Sequence, residues 1–254
     1  MQEAFDFLAS KSGLILSVLV VLFVLERLFP VAKALGGIYR IVKNLVLASF
    51  NFVFSPLVVI PVSAFAAQWQ LPWRPEWWSG WGGFAADVLI LDCWIYLWHR
   101  ANHEVQFLWR FHEVHHLDET LDTTSALRFH FGEVLLSSAA RAVLIFLLAV
   151  PLSSIIAFEA MLAVAALFHH SNLKLPPTVE HFLSLVVVTP SIHWVHHHAI
   201  RRDTDSNYST VFSWWDRLFR SKSTTARWPA MPVGVEGRRD TGLARLVFRP
   251  FRRG

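Results

Sequence analysis

Cysteine is almost absent. Cys93 is the only one in 254 residues, which excludes a disulfide framework within the chain. Its place in an apolar run reads as a small buried hydrophobe. Charge is sparse as well: Asp, Glu, Lys and Arg make up 17% of the chain against 54% hydrophobic residues, and the mean hydropathy is +0.40. That balance excludes an ordinary soluble domain. The N-terminus lacks the basic n-region and small-residue cleavage site of a secretory signal. Glu3 and Asp6 precede the first apolar stretch, so it reads as a retained anchor. No low-complexity segment is present, nor any internal repeat beyond the histidine motifs below. The pI near 9.6 does not point to nucleic acid. Basic residues sit in the tail and in short loops of an apolar chain, where topology and attraction to anionic lipid explain them.

What the sequence has in abundance is long hydrophobic runs, several of the roughly twenty residues that cross a bilayer. Membrane segments are expected at about 13–30, 44–67, 83–98, 133–150 and 152–168. Only Pro151 separates the last two, which predicts a hairpin that enters and returns to the same side. Arg27, Lys33, Arg40 and Lys43 make the 26–43 loop basic, so the positive-inside rule puts that loop in the cytoplasm and the N-terminus outside. Residues 99–132 and everything after 169 then fall on the cytoplasmic side. The Trp-rich stretch 70–83 belongs at the opposite interface, where Trp anchors among headgroups. Arg141 and Glu159 lie at matching depths of the hairpin, and an ion pair is the simplest account of two charges in lipid.

The chain is also rich in histidine, with thirteen, most of them clustered. His99 and His103 stand four apart; His112, His115 and His116 form H-x-x-H-H, and His193, His196 and His197 repeat that spacing. His130 and His169/His170 lie between. On a helix, positions i, i+3 and i+4 share a face, so each cluster aims two or three imidazoles at one point. Imidazole suits iron, zinc, copper and nickel, and this number exceeds what one zinc takes. Two metals are expected. Asp92, Tyr96, His99 and His103 form one helical stripe. Asp92 either orients an imidazole or pairs elsewhere in the bundle. Asp205, Asn207, Tyr208, Trp215, Asp216 and Arg217 form a polar shell or, for the last three, a packed amphipathic helix. A competing pattern is H-E-x-x-H, His112-Glu113-His116, the zinc site of a metalloprotease. It leaves six further histidines unexplained. A non-catalytic metal-binding membrane protein is the other alternative, although a transporter would place its ligands within the spans.

In order, D-x-x-x-Y-x-x-H-x-x-x-H from Asp92, F-H-E-V-H-H, R-F-H-x-x-E, H-S-N, H-x-x-H-H, N-Y and W-D-R-L-F resemble the fatty acid hydroxylase superfamily, also called the sterol desaturase family, over about residues 85–220. The resemblance implies an all-α integral membrane bundle with a cytoplasmic helical cap. It also implies a histidine-rich diiron centre, with zinc possible in isolated protein, that uses O2 to hydroxylate or desaturate a lipid. Residue by residue it implies metal ligands at His99, His103, His112, His115, His116, His130, His170, His193, His196 and His197. Asp92, Tyr96, Glu133, Asn172 and Asn207 are implied as supporting residues. No haem-binding, flavin or ferredoxin motif is present, so electrons are expected from a separate protein of the cytochrome b5, ferredoxin or reductase type. The expected organisation is N-terminal anchor helices and the Trp-rich loop at 1–82, a catalytic domain at 83–220 and a basic tail at 221–254 that forms a surface strap or a mobile arm. The chain departs from the family pattern at Phe131 and Ser209, where related sequences often have proline and glycine, and in the extra histidines His169 and His198. These departures leave the metal site intact but weaken a substrate assignment.

Overall fold

The computed structural model describes residues 2–33 and 37–252, with side chains from Ser12 onward. Every extended element among them is helical; the only β-pairing is three isolated bridges, Pro30 with Leu173, Val187 with Phe212 and His198 with Val233. Helix α1 (Gln2–Leu28) ends two residues before Pro30, whose ring disfavours helical backbone at Phe29. Helix α2 (Gly37–Phe54) passes through a π-turn (Ser55–Val59) into α3 (Ile60–Gln68). Pro56 and Pro61 lack the N–H that an α ladder needs, and the register shifts there. Helices α4 (Gly80–Glu104), α6 (Phe131–Leu148) and α7 (Leu152–His170) complete the long elements.

Four stretches, 37–68, 80–104, 131–148 and 152–170, are long and apolar enough to span a membrane. Only 11–28% of their most apolar windows is buried by protein, so most of that apolar surface faces outward. In water such patches would be a liability; in a bilayer they are the lipid face. This is an all-α integral membrane bundle. α1 packs beside it, with Leu22 against Leu167 of α7.

The two ends of the bundle differ sharply. At one, the Trp-rich loop covers the α6–α7 turn: Trp73 Nε1 donates to the Leu147 carbonyl, and Arg74 makes a bidentate pair with Asp87 and a bond to the Ala149 carbonyl. Trp77 and Trp81 are more than 80% exposed there, as interfacial anchors should be. The hairpin is as tight as expected, with Ala149 in the left-handed conformation (φ 52°) before Pro151. Arg141 and Glu159 meet across it at 2.9 Å.

The other end is a helical cap built from α5 (Gln106–His116), a 3-10 turn (Thr123–Leu127), α8 (Pro177–Ser184), α9 (Pro190–His196), α10 (Arg201–Thr204), α11 (Trp214–Leu218) and α12 (Leu243–Phe248). α8 has no buried residue and leaves Val179, Phe182 and Leu183 exposed. A buried polar network fastens the cap to the membrane helices. Arg40 of α2 pairs with Asp118 at 2.7 Å and Asp122 at 2.8 Å, and Glu26 of α1 accepts from Thr123 and the Asn172 backbone. Burial alone would raise the Asp118 pKa, but Arg40 and Arg128 hold it below the usual carboxylate value. The C-terminal segment is a strap across the cap. Gly234 N donates to the His197 carbonyl, Asp240 pairs with Lys43 and Arg128, and Phe251 packs on Phe111 and His130.

Candidate metal centre

Helix α4 runs past its apolar stretch to Glu104, which keeps His99 and His103 on one rigid element. α5 follows after the extended Val105 and carries His112, His115 and His116. α7 ends in His169 and His170, and α9 carries His193 and His196 with His197 at its C-cap. Four helix ends converge, and nine imidazoles fall into two groups. One comprises His99, His103, His112, His116 and His196; the other His115, His170, His193 and His197. Within each group the ligand atoms lie within 4.8 Å of one another. The groups abut, with the rings of His116 and His197 stacked at 4.3 Å.

The outward nitrogens define the tautomers. His99 Nδ1 donates to the Tyr208 carbonyl (2.8 Å), His196 Nδ1 to the Ser206 carbonyl (2.6 Å) and His112 Nδ1 to the Glu133 carboxylate (2.7 Å). His103 Nδ1 faces Asp205 at 3.3 Å. In the second group His115 Nδ1 donates to the Arg128 carbonyl (3.2 Å) and His170 Nδ1 to the Ala166 carbonyl (2.8 Å). An imidazole that donates through Nδ1 presents a lone pair at Nε2 when neutral. Burial, reinforced by neighbouring imidazoles, pushes His115, His116, His193, His196 and His197 well below the ordinary histidine pKa, so they are neutral.

These lone pairs point at each other. His115 and His170 bring Nε2 atoms to 3.0 Å, and His99 and His112 to 3.2 Å, while each of these four rings is already engaged through Nδ1. Nε2 of His103 and of His196 is buried with no hydrogen-bond partner. Facing acceptors at this distance repel unless a cation lies among them. At a metal–nitrogen distance of about 2.1 Å, ligands at right angles stand about 3.0 Å apart. The nine residues therefore fit transition-metal ions, one in each group.

The remaining residues singled out from the sequence have other placements. His130 lies outside both groups: Nδ1 accepts from Gly132 N, capping α6, and Nε2 faces the Val247 carbonyl of the strap. Gly132 has no room for a side chain, since a Cβ would stand 2.6 Å from the Phe111 ring. Asp92 accepts from Trp215 Nε1 (2.7 Å) and Phe212 N, and the Tyr96 hydroxyl meets Ser221. Asn172 ties the end of α7 to Ala32, and His198 pairs with Asp203. Asn207 is buried, its amide donating to the Ile192 carbonyl (3.1 Å) and accepting from Ser223 N (2.9 Å), and its backbone shapes the site. Its left-handed conformation (φ 52°), which asparagine tolerates better than most residues, turns the flanking Ser206 and Tyr208 carbonyls onto His196 and His99. Glu113 faces away from both groups and is buried against Arg238 and Arg249 of the strap.

What the sequence reading missed is this strap chemistry. Arg238 and Arg249 stand more than 120 positions beyond Glu113, and no local pattern joins them. His169 is a tenth imidazole beside the second group, its ring 4.0 Å from that of His193 and its Nδ1 on the Thr210 carbonyl. A cavity of about 400 Å³ opens on His99, His112, His115, His169, His170 and His193 and runs between the membrane helices along Ile95, Phe129, Val134 and Leu162.

Residues 84–221, more than half of the chain, match the fatty acid hydroxylase family. The chain belongs to that family. Among characterised relatives, the ornithine lipid hydroxylase OlsE of Rhizobium tropici is 27% identical over 198 residues, covering 78% of this chain and 59% of the relative. The alkylglycerol monooxygenase of Caenorhabditis elegans is 31% identical over 156 residues (60% of this chain, 28% of the relative), and that of Homo sapiens 30% over 157 residues (61% and 32%). The chain thus spans about three fifths of the first relative and about a third of the other two. No solved structure matches it. The family match runs from within α4 to beyond α11 and so includes all nine clustered histidines.

Proposed function

We propose that this fatty acid hydroxylase family member is an O2-dependent lipid hydroxylase with two iron ions held by His99, His103, His112, His116 and His196 on one side and His115, His170, His193 and His197 on the other. The observation that carries this is the two abutting sets of inward lone pairs at the mouth of an apolar cavity between membrane helices. A bound iron pair supplies reductive activation of O2 and attack on an unactivated C–H bond. The overall change inserts one oxygen atom into that bond and reduces the other to water, with two electrons and two protons from outside. On this reading the electrons come from a donor of the cytochrome b5, ferredoxin or reductase type.

The protein's own part is orientation and exclusion. Glu133 holds the His112 N–H outward, which fixes the tautomer and raises ligand basicity, and Asp205 faces His103 in a longer contact. Apolar walls keep water from the reacting carbon, and α6 and α7 align a lipid chain along the cavity. The basic 26–43 loop supports a cytoplasmic cap. The relatives' names, an ornithine lipid hydroxylase and alkylglycerol monooxygenases, favour hydroxylation of a polar lipid over desaturation. A metalloprotease would need a carboxylate beside the metal, and Glu113 is committed to two arginines on the far face.

Two measurements test the proposal. Purified protein should carry two transition-metal ions per chain. Cells with the gene, grown under isotopically labelled O2, should contain a lipid bearing one labelled oxygen that cells without it lack. A single ion, or a product formed without O2, would overturn it; an unlabelled new double bond would change hydroxylation to desaturation.

A further inference from the structure

The cavity is apolar along most of its length, but its wall also holds both members of the Arg141–Glu159 pair. Their distance from the histidines follows from helix geometry. Glu159 and His170 share α7 and lie eleven residues apart, about 16 Å at 1.5 Å per residue; Arg141 and Glu133 share α6, eight apart, about 12 Å. The pair therefore sits deep among the membrane helices, far from the cap. We propose that Arg141 and Glu159 bind a neutral hydrogen-bonding group, a hydroxyl or a carbonyl, on a lipid whose reacting carbon lies at the histidines. This rests on reading the cavity as the lipid-substrate site.

Three observations carry it. First, a pair needed only to hold α6 to α7 could be replaced by apolar packing, because ionic groups taken from water cost more than they return unless fully bonded. Second, one donor of the pair is unmet: Arg141 Nε is buried without a hydrogen-bond partner. An oxygen brought in by a ligand would satisfy that donor, and an orphaned donor in apolar surroundings is costly. Third, the site has both signs. A hydroxyl can accept from the guanidinium and donate to the carboxylate, whereas a ligand carboxylate would meet Glu159 as a like charge. Ser137, one turn before Arg141 and also on the cavity wall, offers a further hydroxyl. A span of 12–16 Å corresponds to roughly ten to thirteen carbon–carbon bonds of an extended chain, at roughly 1.25 Å of advance per bond.

The test is equilibrium binding of radiolabelled dodecan-1-ol, dodecane and dodecanoate to the full chain in lipid nanodiscs, corrected for empty discs. Wild-type protein should bind the alcohol about tenfold more tightly than the alkane, the worth of one hydrogen bond to a charged group, and more tightly than the carboxylate. The double variant Arg141→Leu/Glu159→Leu, which removes both charges together, should bind alkane as before and lose the preference. No preference in the wild type, a preference that survives in the double variant, tighter binding of dodecanoate, or no binding at all would each overturn the proposal. If thermal stability shifts but the alcohol-to-alkane ratio does not, the pair is only a staple between helices. Binding needs neither O2 nor electrons, so failure here is distinguishable from failure of the hydroxylase reading, which labelled-product analysis decides.

Discussion

The two histidine groups share ligand type and burial but are supported in different ways. In the five-histidine group four outward nitrogens are engaged, two of them by carboxylates, Glu133 and Asp205. In the four-histidine group only two are, both by backbone carbonyls, while Nδ1 of His193 and of His197 is buried without a partner. A carboxylate behind an imidazole strengthens its donation to a metal; a carbonyl mainly orients it. The first group should therefore hold its ion more tightly, chiefly through Glu133. The second depends on the backbone that positions it, from α7, α9 and the Arg128 turn.

The sharpest way to break this comparison is to remove one ligand from each group. His116→Ala and His197→Ala delete the two rings that stack between the groups. Each variant should lose the ion of its own group first, and both should lose activity by more than the roughly 10–100-fold that an outer partner costs. Membrane insertion should be unchanged. Metal analysis that still finds two ions in both variants would show these rings to be structural.

Arg128→Met tests the dependence of the second group on backbone. The Arg128 side chain is fully buried, donates to the Val114 carbonyl and pairs with Asp240 of the strap at 2.6 Å, while its own carbonyl receives His115. Removing it leaves Asp240 short of a partner at a cost of about 3 kcal/mol, the low end for breaking a buried pair. We expect a lower melting temperature in detergent and preferential loss of the His115 group's ion. Equal loss from both groups would mean the strap supports the whole cap evenly.

How far the site could be read from sequence follows from the same contrast. Eight of the nine clustered histidines were legible because i, i+3 and i+4 spacing on a helix forces convergence, and helices follow directly from apolar runs; His170 was pointed to only by the family resemblance. The Arg141–Glu159 pair was legible because depth in a hairpin is a matter of counting. Tertiary choices were not. Asp92 shares a helical stripe with His99 and His103, yet its carboxylate is taken by Trp215, more than 120 residues away. His130 carries the family pattern but spends its nitrogens on the start of α6 and on the strap. The strap itself reads as Pro, Gly and Arg without periodicity, and only the fold shows that its arginines neutralise Glu113.

Glu133→Gln should weaken the first group without touching the second. Glutamine keeps an acceptor oxygen for His112 Nδ1 but removes the charge, so the expected cost is roughly 10-fold, the low end for outer partners. Competition with a chelator should show one ion leaving earlier and the other unchanged. If both leave together, the groups are one cooperative site.

Asp205→Asn is the smallest and most discriminating change. Asp205 lies 3.3 Å from His103 against the 2.7 Å of Glu133 from His112, it is about one third exposed, and Arg201 already holds its other oxygen at 2.6 Å. Solvent screens a charge in that position, and the long contact contributes little hydrogen-bond energy. His103 should stay in place because its ring also packs on Trp109, with centroids 5.0 Å apart. The same chelator competition should therefore show a loss below the roughly tenfold expected of an engaged outer carboxylate. A loss as large as that of Glu133→Gln would mean that metal binding draws His103 and Asp205 together, and that the five-histidine group becomes rigid only with its ion bound.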